Sequence, residues 1–284
     1  MNKLILENDK ITNEILDDSI KYDIFTNDRF GITSLTIELI DDTELELEYN
    51  FKENTKMETI ILANKNININ IFEKIKGVNS KLRTTYHIKE NSIVKVYKYN
   101  DVDEIKEYTI INLDEENAKI EYNLKTITKK SENYDILTYH NSKNTKSKIN
   151  PNGVNIKEGQ LKFNTSSFIP KNMINCEAIQ NNKIINLTNN ECIINPNLYI
   201  DEYDIVASHS AWIGTFEEEI LFYLQSRGIN KKEAIKLLVK GFLTNKLEIQ
   251  EEEKEKITQT IDKYWRWKNE RRFSYVEKKY NLLR

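Results

Sequence analysis

The stretch "SLTIELIDDTELELEYNF", residues 34–51, alternates apolar and polar side chains on both sides of an Asp-Asp break. Leu35, Ile37 and Leu39 share one parity, and Leu45, Leu47 and Tyr49 keep it beyond the break. A period of two places successive side chains on opposite faces, so each half reads as a half-buried strand. The same rhythm returns in "NININIF", residues 66–72, at Ile67, Ile69 and Ile71. Short runs of similar kind follow: "SIVKVYKY", "YTIINL", "AKIEYNL", "YDILTYH", "VNIKEGQLKFN", "NKIINLT" and "LYIDEYDIVAS". Clusters of Asn, Asp and Lys part them, which predicts an all-β body over residues 31–210. A two-sheet sandwich and a β-solenoid both fit this pattern. A long succession of short strands with no helix between them favours stacked turns. With only 7 Gly and 3 Pro, the turns must be punctuated by something else, and Asn tolerates left-handed backbone.

Helical spacing governs the two ends. Ile11, Ile15, Leu16 and Ile20 predict a short N-terminal helix within residues 1–30. After residue 210 the pattern predicts a helical module over 211–284. Thr215 and Glu218 have capping-box spacing, and Gly228 stands where a left-handed stop is expected. Asn230 with Glu233 repeats the start signal. A third helix opens on the acids 251–253 and carries Ile257, Ile261 and Trp265. Trp265 and Trp267 lie on different sides of that helix, which predicts one of them buried.

The net charge of −3 argues against a nucleic-acid or membrane-surface binder, since either would carry a basic excess. The basic run from "KYWRWKNERRF" to "EKKYNLLR" is interleaved with Glu and reads as a solvated helix face. No apolar run reaches the ~18 residues a membrane helix needs, and no signal peptide opens the chain, so the expected location is cytoplasmic. Cys176 and Cys192 match neither a disulfide scaffold nor a CxxC zinc site and read as buried small hydrophobes. His87 and His140 fall in ordinary strand contexts. The acids in "IDD" (40–42) and "LDEE" (113–116) fall in turns, and no phosphate-loop, dinucleotide, nucleophile-elbow or HExxH motif is present.

One segment carries a resemblance. "IDEYDIVASHSAWIGTFEEEILFYLQSRGINKKEAIKLLVKGF", residues 200–242, resembles the C-terminal signature of the SufB/SufD family of iron–sulfur cluster assembly scaffolds, closer to SufD. "YHNSKNTKSKINPNGV" and "QNNKIINLTNNECIINPNLYI" are similar to the family's preceding segments, in the same order. The resemblance implies a right-handed parallel β-helix, and so favours the solenoid. It also implies a non-catalytic scaffold that pairs with a SufB-like core protein, or with itself, and docks a SufC-type ABC ATPase. No cofactor would be held stably; an iron–sulfur cluster would pass through transiently at a complex interface.

Residue roles follow from the same resemblance. His209 occupies the family's histidine position at the cluster-assembly interface, oriented if at all by Asp204 or Glu202. Asn181 and Ser210 stand where SufB-type members have Cys and Glu, and Ala207 stands where SufD-type members often have Cys. Soft thiolate is what such clusters select, so these replacements leave a poor ligand set, with Cys192 the weak substitute. ATPase docking would fall on Phe216, Glu219, Phe222, Tyr223, Arg227 and Gly228, with Arg227 anchoring the helix end through backbone carbonyls. The alternatives are a minimal self-paired scaffold, a β-solenoid polysaccharide-active enzyme, and a purely structural or adhesive solenoid.

Overall fold

A computed structural model describes residues 1–267 apart from positions 28, 157, 158, 246, 248 and 250. The strands are β1 (Asn2–Glu7), β2 (Lys10–Ile15), β3 (Ile20–Asn27), β4 (Ile32–Leu39), β5 (Thr43–Phe51), β6 (Thr55–Ala63), β7 (Asn68–Ile88), β8 (Ile93–Leu113), β9 (Lys119–Thr128), β10 (Ser131–His140), β11 (Lys146–Asn155), β12 (Gln160–Ile169), β13 (Cys176–Asn186), β14 (Ile193–Ile200) and β15 (Ile205–Gly214). Three helices follow: α1 (Glu218–Ser226), α2 (Lys231–Thr244) and α3 (Glu251–Trp267).

The alternation seen in the sequence is the alternation of burial. Leu35, Ile37, Leu39, Leu45, Leu47 and Tyr49 are all buried. The strands stack as two parallel rows, which makes the body a β-solenoid and not a sandwich. One row runs β1–β5–β7–β8–β9–β11–β13–β15. The other runs β4–β6–β7–β8–β10–β12–β14. The 21-residue strands β7 and β8 belong to both rows and turn the corner between them. At the β7 corner Gly77 takes φ +129°, and a Cβ there would lie 1.9 Å from the Phe51 carbonyl oxygen. Only glycine allows that approach.

Asparagine makes the corners on the opposite edge. Asn66, Asn91, Asn117 and Asn144 have φ of 62°, 56°, 60° and 58°. Asn66 and Asn91 donate their backbone N–H to Glu90 and Glu116 across the next turn. Their side chains stack as well: Asn91 donates to Asn66 at 2.8 Å and Asn117 to Asn91 at 2.9 Å, at sequence intervals of 25 and 26. Replacing Asn91 by alanine should cost about 1–2 kcal/mol in urea denaturation, because alanine resists the left-handed region and breaks the amide stack. Glycine at the same position should recover part of that loss.

The first thirty residues are strands, not the expected helix. Glu7 pairs Lys10 around the two-residue turn Asn8-Asp9, with Asn8 at φ 53°, and Asn and Asp suit such tight hairpins. β2 and β3 pair antiparallel with β1 and β4. The apolar spacing misled because Ile11 and Ile15 sit on the mostly exposed hairpin strand β2, where no core imposes alternation.

The helices lie along the outer flank of the first row and not over its end. Leu221, Ala234, Ile235, Val239, Ile257, Ile261 and Trp265 pack against Phe72, Tyr97, Tyr99, Ile127, Val154 and Ile185. A buried Lys74–Glu253 pair (2.6 Å) and the Tyr264 hydroxyl, donating to Asp101 at 2.5 Å, pin α3. Asn230 caps α2 by accepting from the Glu233 N–H at 3.0 Å. Gly228 ends α1 at φ +84°. The capping box does not form: β15 persists to Gly214, past the expected boundary at 210, and α1 begins only at Glu218 with Glu217 as an unbonded N-cap. Thr215 is left in the connection. The side chain of Trp267 and the basic tail from residue 268 lie outside the described residues.

Inside the solenoid, the middle turns carry charge. Lys98 is fully buried, with its ammonium 2.7 Å from Glu73 and 2.5 Å from Glu107. Tyr86 donates to Glu73, and Asn100 to Glu107 at 3.1 Å. Asn100 also donates to the Tyr134 hydroxyl, which donates to Glu132 at 2.8 Å.

Candidate functional site

β15 pairs on one side only, in parallel with β13, and β14 pairs only with β12. The last turn therefore presents two strand edges with no partner strand among the described residues. Such edges are templates for pairing with another chain.

The register places the family positions. Ala178, Gln180, Asn182 and Ile184 of β13 are buried and face the interior. They stand opposite Ala207, His209, Ala211 and Ile213. By the period of two, His209 lies on the inner face, directly over Gln180, and is exposed because no further turn among the described residues covers it. Gln180 is fully engaged: it donates to Ser167 at 2.8 Å and to the Asn197 carbonyl at 3.0 Å, and accepts from Thr165 at 3.0 Å. Asn181 and Ser210 are register partners on the outer face, where the Ser210 hydroxyl donates to Asn181 at 3.3 Å. Asn181 continues an amide ladder, donating to Asn150, which donates to Asn123. The positions thus divide: Ala207 and His209 inside, Asn181 and Ser210 outside.

Neither expected orienting carboxylate bonds His209. Glu202 accepts from the backbone N–H groups of Tyr203 and Asn172, each at 2.8 Å. Those amides hold its carboxyl below the usual range and commit it to the turn. Asp204 makes no side-chain bond to His209 among the described residues. Cys192 is not brought to the histidine either. It packs in the solenoid core, accepts from Asn155 at 3.5 Å, and burial pushes its thiol up. A buried neutral thiol is a poor metal ligand. Cys176 is buried beside Thr145 (3.2 Å). His140 is buried between Thr145 (2.8 Å) and Ser147 (2.9 Å), and burial lowers it to about 4, so it stays neutral. His87 lies 2.7 Å from Asp114. Among the described residues no three His, Cys, Asp or Glu side chains converge as a metal set.

The second feature is the outer side of the helices. Leu221 and Leu224 face the solenoid, and Phe216 is half-buried with them. Phe222 and Tyr223 are 73% and 57% exposed, and Ile220 and, on α2, Leu237 are exposed too. Glu219 and Gly228 are exposed beside them. The Arg227 guanidinium makes no bond to a helix-end carbonyl among the described residues; it lies 5.4 Å from the Tyr223 ring, a cation–π contact, while the Arg227 backbone N–H bonds the Leu224 carbonyl at 3.1 Å. The resemblance named Phe222 and Tyr223 for docking but not the exposure of Ile220 and Leu237, which depends on how α1 and α2 pack on each other. No described helix is long and apolar enough to cross a membrane.

Comparison with known proteins bears on this arrangement. The profile described as "SUF system FeS cluster assembly, SufBD core domain" matches residues 53–242. The iron–sulfur cluster assembly protein SufD of Bacillus subtilis is 33% identical over 114 residues, covering 40% of this chain and 26% of the relative. SufD of Escherichia coli is 27% identical over 141 residues, covering 49% and 33%. A SufBD family protein of Galdieria sulphuraria is 32% identical over 111 residues, covering 36% and 47%. Each match thus spans less than half of the relative's own length. The profile spans most of the solenoid together with α1 and nearly all of α2, and on that match the chain belongs to the SufBD core family of the SUF iron–sulfur cluster assembly system.

Proposed function

We propose that this chain is a SufD-like scaffold subunit of a SUF assembly complex. In this reading α1 and α2 dock a SufC-type ABC ATPase through Phe222, Tyr223, Ile220 and Leu237. The open last turn pairs with a SufB-like core protein, and His209 meets that seam from the inner face. The cluster is cargo, not a resident group: a lone imidazole among serines and amides supplies little to hold it. ATP hydrolysis belongs to the partner.

The observation that carries the reading is the two-sided helix. One side of α1 is packed into the flank, and the other leaves two aromatic rings in water. Exposed aromatics at the centre of an apolar patch are the usual hot spots of association. Co-purification with the ABC-type ATPase is the test. Phe222→Asp should weaken capture about thirtyfold, the size of one hot spot, and leave the melting temperature unchanged. Unchanged capture would remove the docking assignment. The mass of the purified complex separates a SufB-like partner from a second copy of this chain.

The polysaccharide-enzyme alternative gains nothing from the geometry. The most tightly convergent carboxylates and lysine, Glu73, Glu107 and Lys98, are sealed inside the solenoid, where no polymer reaches them.

A further inference from the structure

The helices pack on the outer face of the first row, whereas the outer face of the second row carries a column of lysines. Lys56 of β6 stands opposite Lys81 of β7, and Lys81 opposite Lys106 of β8. Asn133 of β10 comes next, and then Lys162 of β12. Lys56, Lys81 and Lys106 are exposed and Lys162 is half-buried. Rungs lie about 4.8 Å apart, so the column runs for about 19 Å along the solenoid. Among the described residues none of these ammonium groups meets an acid. The first row places its lysines differently, opposite acids on the next rung: Lys3 lies 2.8 Å from Glu46, Lys146 3.0 Å from Glu177 and Lys148 3.7 Å from Glu121. Like charges directly opposite one another destabilise a sheet, so the fold gains nothing from the column.

The groups beside the column are already engaged. Glu58 lies 3.5 Å from Arg83, Glu104 lies 3.7 Å from Lys130, and Asp135 accepts from Asn164 at 2.6 Å. The Tyr108 ring is faced by the Arg83 guanidinium at 5.8 Å.

We infer that this column is a docking strip for one extended acidic segment of a partner protein. At about 3.3 Å per residue, roughly six residues of extended chain match its length. Carboxylates along such a segment supply the charge that the strip lacks. A wide polyanion, such as a nucleic-acid duplex or an anionic membrane, would also cover Glu58, Asp135 and Glu104 and be repelled by them. Single-stranded nucleic acid binds by stacking its bases on free rings, and here the adjacent ring is taken. The strip lies on a different face from the helices, so the inference stands apart from the ATPase-docking reading.

Fluorescence anisotropy of the full chain with a labelled octaglutamate peptide tests it. Lys56→Gln, Lys81→Gln and Lys106→Gln in one chain should weaken binding about tenfold at low salt. Wild-type binding should fall as salt rises, as exposed charges require. Lys10→Gln, Lys21→Gln and Lys171→Gln remove the same charge from scattered exposed sites and should change binding less than about twofold. The column variant should also raise the urea midpoint, because it relieves repulsion. No binding by the wild type, or equal loss in both triple variants, overturns the strip. A lowered urea midpoint in the column variant overturns it too, since the lysines would then serve the fold. Oligothymidylate or phosphatidylserine vesicles that bind more tightly than octaglutamate, and are lost in the column variant, overturn the acidic segment as its occupant.

Discussion

Replacing Lys98 by alanine is expected to lower the unfolding free energy by about 3–5 kcal/mol, read as a shifted urea midpoint at constant slope. The reason is the imbalance it leaves. Lys98 is wholly inside the solenoid with Glu73 at 2.7 Å and Glu107 at 2.5 Å. Burial alone would drive the ammonium neutral, but the charges of Glu107 and Glu73 override it and hold Lys98 well above the ordinary lysine range. Removing it strands two carboxylates in the dry interior, each fastened to its strand by Tyr86, Asn100 and Thr109. Neutralising the whole group at once, with Lys98→Met, Glu73→Gln and Glu107→Gln in one chain, should recover most of the loss, because no buried charge then lacks a counterpart. A single-variant loss below about 1 kcal/mol would mean that water reaches the triad.

A second large effect concerns pH. Burial raises the Glu132 carboxyl to about 7, against the pull of its hydrogen bonds from Thr126 (2.5 Å) and Tyr134 (2.8 Å) and the charge of Lys129. Among the described residues its other oxygen has no partner, and neither has the side-chain oxygen of Asn100 in the same cluster. The folded state therefore binds this proton more tightly than the unfolded chain does. The stabilisation is complete below the unfolded value of about 4.5, and it is lost as pH rises through about 7. The difference amounts to about 3 kcal/mol. Glu132→Gln, which stays neutral and keeps an acceptor for Thr126 and Tyr134, should remove this slope and be the more stable protein at pH 8. A wild type and a Gln variant with parallel stability–pH curves between pH 5 and 8 would show that Glu132 ionises freely.

Much of the fold could be read before any coordinate. The alternation at residues 34–51 and 66–72 gave strand identity and the buried parity. The stop at Gly228 and the cap at Asn230 lie where their backbone chemistry demands. Asparagine does take over the corners. What escaped detection was the interval of about 25 residues between those corners, because only the Asn repeats and the residues around it vary. The N-terminal hairpins were hidden because an exposed strand carries no apolar alternation to read. The site was less legible than the fold. A one-residue change of register swaps the two faces of a strand, so the sequence could name His209, Asn181 and Ser210 but not show which of them face the interior. Lys183 of β13 lies 4.8 Å from the Trp212 ring of β15 and 5.9 Å from the Phe242 ring of α2, and only tertiary packing brings these three elements together.

The bare last turn has a thermodynamic corollary. In a stack where each layer touches only its neighbours, melting starts where a layer has one neighbour instead of two and then propagates inward. Among the described residues β14 and β15 are such a layer at one terminus, whereas at the opposite terminus the one-sided strands β2 and β3 are each tied to their neighbour by a hairpin. The array should fray from its carboxyl-side rung. A second solenoid seated there would turn the weakest layer into an interior one, so assembly and resistance to unzipping would rise together.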